Sequence, residues 1–353
     1  MTRITTKILG LLVPAVFFST SCKKNSSSDT DTEELKAEIL SDISSNVSKS
    51  SYEDLFAKSD ALLAAVTTLN AATNETNLTQ SRAAWKNIRT TWERTESWLF
   101  GPVEADNIDP RIDSWPVDFN DLDAILNNND ELTETYVDNL GDFLKGFHPI
   151  EYILWGRDGN KTAAQFTARE KAYLVALAQN LRKLCGEVRN TWSEGYATQL
   201  ATAGKGSAEF STQQEAYFQL VDAMSGICEE VANAKIKEPF DANDPSQEES
   251  PFAKNSFTDF SNNITGVLDM YQGKFTADGK GIEDLVRNYN LSLDTEIKSK
   301  HAAAIAALAA FNKPFGEAIG SEQSKIQNAM DKINDLQAVL DGKLRPFIQQ
   351  YVK

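Results

Sequence analysis

The sequence predicts an all-α protein made of two helical bundles, and three observations predict it. Apolar residues recur at three- and four-residue intervals through nearly the whole chain, the period of helices with one buried face. No segment shows the apolar–polar alternation of a half-buried strand. Two long proline-bearing stretches, 101–116 and 237–251, each follow a long helical run and precede further helices, as a duplicated bundle would place them. At 353 residues the chain has enough length for two cores.

The chain opens on an export signal, residues 1–21. Arg3 and Lys7 form a positive n-region, and Ile8 to Phe18 form an apolar h-region too short to span a bilayer as a helix. The signal ends in "STSC", which resembles the lipobox of bacterial lipoproteins and makes Cys22 the expected lipidated residue. Ser19 stands where that pattern usually has Leu, and cleavage without lipidation is the alternative. The expected location is a lipid anchor in a bacterial cell envelope, on the periplasmic side or at the outer membrane and cell surface. Residues 22–32, "CKKNSSSDTDT", read as a flexible tether. Loss of residues 1–21 leaves 33 basic against 51 acidic residues, a net charge of −18. That disfavours a nucleic-acid partner, which needs a basic surface, and suits cations better, with a merely solvated acidic surface as the alternative.

The first folded bundle is expected over 33–203 and the second over 204–353. Helices are expected over 33–69 with a break near Ser50, over 77–100 until Gly101 and Pro102, and over 122–128, 132–155 and 168–200. In the second half they are expected over 208–234, 256–271, 282–311 with a break at 288–292, and 321–352. Cys185 and Cys228 fall inside helical stretches, as two small buried thiols or as one disulfide, and no C-x-x-C occurs.

Four places carry candidate chemistry. In "GFHPIEYILWG", His148 and Glu151 can share a face, with Pro149 either kinking the helix or standing in its first turn. They offer two ligands of a metal site or a histidine held by a neighbouring carboxylate. On the helix through Trp85 and Phe100, Arg89 and Glu96 fall inside the apolar arc and Glu93 on its border, as an internal salt bridge or as ligands. Lys86, Asn87, Thr90, Arg94 and Ser97 fall on the opposite, solvent side. Asp109 and Asp113 in "NIDPRIDSWP" read first as helix caps, with Asp113 the better ligand because Trp115 can pack the loop inward. Ser256, Asp259 and Asn263 share a helix face that matters only if the second half folds back over His148.

Together, "AWKNIRTTWERTESWLFGP", "IDPRIDSWP", "GFHPIEYILWG", "GICEEVANAKIKEPF" and "SFTDFSNNITGVLDMY" resemble the imelysin-like family of exported bacterial proteins, with its G-x-H-x-x-E signature. The resemblance implies two bundles with the signature in a cleft at their interface, carried here by Gly146, His148 and Glu151. It also implies one of two activities: iron-linked binding, with an iron-uptake membrane partner, or metallopeptidase activity. A zinc peptidase usually uses two histidines and a carboxylate, and the only other histidine, His301, follows a lysine-rich turn expected to be exposed. A hard cation accepts one imidazole and several carboxylates. The expectation is therefore binding of iron or a small metal-bearing ligand. The metal ligands would be His148, Glu151, Glu93, Glu96 and Asp113, with Arg89, Ser256, Asp259 and Asn263 beside the ligand. Zinc-dependent hydrolysis in the same cleft is the alternative.

Overall fold

Helix starts are set by side chains that satisfy the free N–H groups of a first turn. Asn74 accepts from the backbone N–H of Asn77 and opens a helix at Glu75. Thr167 with Glu170, and Thr212 with Glu215, form reciprocal capping boxes that open helices at Ala168 and Gln213. The computed structural model describes residues 26–353 and has no strand among the described residues. Its long helices are α1 (Ser26–Asp42), α2 (Ser50–Ala71), α3 (Glu75–Thr95), α4 (Phe147–Trp155), α5 (Ala168–Thr191), α6 (Gln213–Glu230), α7 (Ser256–Gln272), α8 (Leu291–Leu308) and α9 (Gln323–Val339).

Residues 1–21 and Cys22 lie outside the described residues. Residues 26–32 belong to α1 rather than to a tether, because a helix nucleated by a packed segment extends into polar residues at little cost. The break near Ser50 is a π-helical turn, Ile43–Lys49. The single helix expected over 132–155 is instead Glu134–Asp138, a 3-10 turn and α4, because Gly146 takes a φ of +79° just before α4. Conversely, the stretch 101–116 holds two short helices, Pro102–Ala105 and Asp109–Asp113, each with a proline in its first turn, where the missing N–H costs nothing. The stretch 237–251 likewise begins with a helix, Lys237–Ala242.

The first half packs α2 along α3 and α5, with α4 over α3 and α5. In the second half α6, α7, α8 and α9 close a ring in which each helix packs on the next. α1 touches both halves, through the segment Ala197–Ala201 and through α6. The halves join where α3 runs against α7. Periodicity alone assigns Arg94 and Ser97 to the solvent side of α3, but α7 covers that side. Arg94 pairs with Asp269 at 2.6 Å, and the buried Ser97 hydroxyl donates to the carbonyl of Asn263 at 3.1 Å. Cys185 and Cys228 are free and buried.

The seam closes on a glycine. A Cβ on Gly266 of α7 would stand 2.2 Å from the carbonyl oxygen of Arg94 and 2.6 Å from Ser97 Oγ. The obstacle is largely backbone of α3, which a side-chain rotation cannot relieve. Gly266→Ala is therefore expected to push the halves apart and destabilise the protein by about 2 kcal/mol, the usual cost of overpacking. Urea unfolding checks it: an unchanged midpoint would show that the seam tolerates the methyl.

Candidate functional site

The buried polar network starts from α3. This helix is covered by α2, α4 and α7, so Arg89 and Glu93 are fully buried and Glu96 nearly so. Arg89 is ion-paired through its two terminal nitrogens to Glu93, Asp113 and Glu249, with Glu249 Oε1 at 2.8 Å, and its Nε lies 3.6 Å from Asp259 Oδ1. Lys235, also buried, places Nζ 2.9 Å from Glu96 Oε2, 3.0 Å from Glu249 Oε1 and 3.8 Å from Glu93 Oε2. From α7, Asn263 Nδ2 donates to Glu93 Oε2 at 2.8 Å and to Glu96. Asp259 accepts from Ser250 Oγ at 2.6 Å and Asn255 Nδ2 at 2.7 Å. Ser256 sits at the edge, donating to Glu248 Oε2 at 2.8 Å.

Gly146 explains how the signature reaches this network. With its positive φ it lets the start of α4 press on the stretch before Asp113; a Cβ there would fall 2.1 Å from the carbonyl oxygen of Ile112. Pro149 takes the first turn of α4, the second of its two expected arrangements. His148 then bridges two carboxylates, with Nε2 3.0 Å from Asp113 Oδ1 and Nδ1 3.4 Å from Glu151 Oε2. Glu151 Oε1 accepts the backbone N–H of Ala253 at 2.7 Å. Trp92 Nε1 donates to the other oxygen of Asp113 at 2.6 Å. The signature thus ties the loop of Asp113 to the loop of Ala253.

Burial and charge act against each other here. Burial alone lowers the pKa of His148, but its close pairing with Asp113 and Glu151 more than reverses this and raises it to about 9. Burial raises Asp113, yet Arg89 and His148 hold it below the ordinary carboxylate range. Burial pushes Glu93 and Glu96 well up, against the pull of Arg89 and Lys235 respectively. It lifts Asp259 to about 7 against Arg89, and Glu248 to about 7 against its bond from Ser256. Lys235 stays charged, since Glu249, Glu96 and Glu93 outweigh its burial.

One oxygen from each of Glu93, Glu96, Asp113 and Glu249 lies within 4.8 Å of the others, so these four could hold a metal ion. Glu249 Oε2 is buried with no hydrogen-bond partner. Above them opens a cleft of about 340 Å³ lined by Trp115, Phe119, Phe252, Arg157, His148 and Glu249, among others. Trp115 is half-buried, its ring 6.0 Å from that of His148 and 5.2 Å from Lys235 Nζ.

Arg89, Glu93, Glu96, Asp113, His148, Glu151, Asp259 and Asn263 thus meet in one network, as the fold-back of the second half requires. Asp109 caps nothing with its side chain, because it is the first residue inside the short helix and Ile108 holds the cap position. His301 is not exposed: α8 packs its face on α7, where His301 Nε2 lies 3.0 Å from the carbonyl of Ile264, outside the network. Lys235 and Glu249 escape sequence reasoning. Their signals are a lysine closing the apolar run "VANAKI" and an acidic pair trapped between prolines in "PSQEESP".

The imelysin family profile matches residues 49–340. The iron-regulated protein A of Synechococcus elongatus is 27% identical over 312 residues, spanning 85% of this chain and 83% of its own. A Parabacteroides distasonis protein described as an iron-regulated protein A precursor superposes with a TM-score of 0.81 at 22% identity, covering 91% of this chain and 96% of its own. An imelysin-like protein from Psychrobacter arcticum gives a TM-score of 0.74 at 15% identity, with coverage of 90% and 96%. The two solved structures share the fold.

The raised pKa of His148 has a signed consequence for stability. Its folded value of about 9 lies above the ordinary 6.5, so its contribution is complete below pH 6.5 and fades as pH rises through 9. The metal-free protein should lose on the order of 3 kcal/mol between those values. In His148→Gln this decline should flatten, though the variant starts lower. Melting temperatures across pH 6–10 check it, and parallel curves for the two proteins would show that His148 does not titrate as argued.

Proposed function

The chain belongs to the imelysin family, and from that premise we propose that it binds a polyvalent cation, iron above all, either bare or within a small chelate, for iron acquisition at the cell envelope. The observation that carries this is Glu249 Oε2, a buried acceptor without a donor, on one of four carboxylates that converge beside an open cleft. An unmet buried oxygen is costly, and a cation would meet it.

Charge supports the same reading. Glu93, Glu96, Asp113, Glu249 and Asp259 face only Arg89, Lys235 and a protonated His148. Burial pushes Glu93 and Glu96 up, and the neighbouring carboxylates add to that push. Hard oxygen donors suit ferric iron and other hard cations. Glu249, Asp113, Glu93 and Glu96 would hold it. His148 would act one step out, orienting Asp113, since its Nε2 already faces that carboxylate. Glu151 would fix the orientation of His148 while holding the loop at Ala253. The relative from Synechococcus is named for iron regulation, which agrees with an iron link. Zinc hydrolysis has less support, because His301 is committed to the carbonyl of Ile264 and does not join His148.

Export with a lipid on Cys22 is part of the proposal. Mass spectrometry of envelope extracts should then find a mature N-terminus at an acylated Cys22; an unacylated start elsewhere would remove the anchor.

Anaerobic equilibrium dialysis with ferrous iron tests the binding. Wild type should take up iron near one ion per chain. Glu249→Gln should weaken binding strongly and His148→Ala by roughly tenfold, the usual cost of losing an outer-shell partner. Equal uptake by wild type and the double variant Glu96→Gln, Glu249→Gln would refute these ligands. Chelator-sensitive cleavage of an unfolded protein by the zinc-loaded chain would favour hydrolysis instead.

A further inference from the structure

We propose that Lys235 is a built-in counter-cation which an incoming polyvalent ion displaces, and that this exchange sets the affinity and charge selectivity of the site; it rests on the cation-binding reading above. Lys235 Nζ already stands where a cation would lodge, 2.9 Å from Glu96 Oε2 and 3.0 Å from Glu249 Oε1, with Glu93 Oε2 at 3.8 Å. It thus contacts three of the four carboxylates that converge. Its other side faces Trp115, which lines the cleft, at 5.2 Å from the ring. The ammonium therefore stands at the carboxylates, beside a side chain that lines the cleft.

The two buried cations differ in how easily they leave. Arg89 is forked across Asp113, Glu93 and Glu249 from the middle of α3, and its planar group fits that arrangement only one way. Lys235 is a point charge on a flexible stem, set on a π-helical turn, Val231–Ile236, a local geometry often found at functional sites. It also has somewhere to go. Glu230 Oε1 lies 3.8 Å from Nζ, and the Glu230 side chain is 49% exposed. A modest swing moves the ammonium from the carboxylates to this solvent-edge partner without leaving it unpaired.

The exchange favours polyvalent ions on charge grounds. A monovalent ion replacing an ammonium leaves the acidic excess unchanged while losing well-placed hydrogen bonds. A divalent or trivalent ion reduces that excess by one or two charges. Removing the ammonium should therefore tighten metal binding, the opposite of what loss of a ligand or a structural brace would do.

Ferrous-iron dialysis under anaerobic conditions on the full mature chain, with Lys235→Met and Glu230→Gln, tests this. Lys235→Met should bind iron roughly tenfold tighter and melt lower without iron. Glu230→Gln should bind several-fold weaker, with its metal-free melting temperature nearly unchanged. In wild type, amine labelling read by mass spectrometry should find Lys235 protected without iron and reactive when iron saturates the site. If wild type binds iron and Lys235→Met binds it equally or more weakly, the exchange is overturned. Should Lys235→Met fail to fold, labelling of Lys235 that iron does not change overturns it equally. Absence of iron binding in all three proteins overturns the cation-binding reading, and the proposal with it.

Discussion

A fully buried arginine in the middle of α3 is the constraint from which the rest of the structure follows. An unpaired guanidinium in the interior is prohibitive, and α3 itself supplies only Glu93 as a direct partner one turn on. The remaining carboxylates come from the loop at Asp113, the loop at Glu249 and α7 at Asp259. Both loops and the second half must therefore close around α3 for the first half to be stable. The seam at Gly266, the contact of Asn263 with Glu93 and Glu96, and the pair of Arg94 with Asp269 are the packing expression of that requirement.

The G-x-H-x-x-E signature takes a different meaning in this setting. Each of its three fixed residues solves one positional problem. The glycine admits the carbonyl of Ile112 into the space a side chain would fill, the histidine spans Asp113 and Glu151, and the glutamate ends on the backbone of Ala253. It works as a strut between two loops that carry ligand candidates. A histidine used in this way needs no second histidine, which is why half of a zinc-protease pattern is enough here.

How far the sequence discloses this can be argued residue by residue. The helical period exposed Arg89, Glu93 and Glu96 as charges on an apolar face, because burial of α3 is written into its own repeat. The faces of Arg94 and Ser97 were not legible, since what covers them is α7, more than 160 residues away in the chain. Lys235 and Glu249 were hidden for a related reason. Each is polar in a segment whose burial depends only on the tertiary fold, so neither breaks a local pattern strongly enough to be noticed. The loops at 101–116 and 237–251 were identifiable by their prolines, but Pro102, Pro110 and Pro245 also start short helical turns, so breaker residues alone overstate irregularity.

The groups proposed to bind a cation are also the groups that hold the halves together, which would couple the two properties. Glu249 and Asp259 belong to the second half, and Asp113, Glu93 and Glu96 to the first, so a cation between them adds bonds across the seam. Any ion that prefers the closed arrangement must then stabilise it by the same free energy with which closure improves binding. The acidic excess works in the other direction, since uncompensated carboxylates repel one another and weaken closure. Arg89 and Lys235 bridge carboxylates of both halves, yet they leave the deficit that would give a polyvalent ion its advantage. A fully neutralised network would be a stronger clasp and a poorer site.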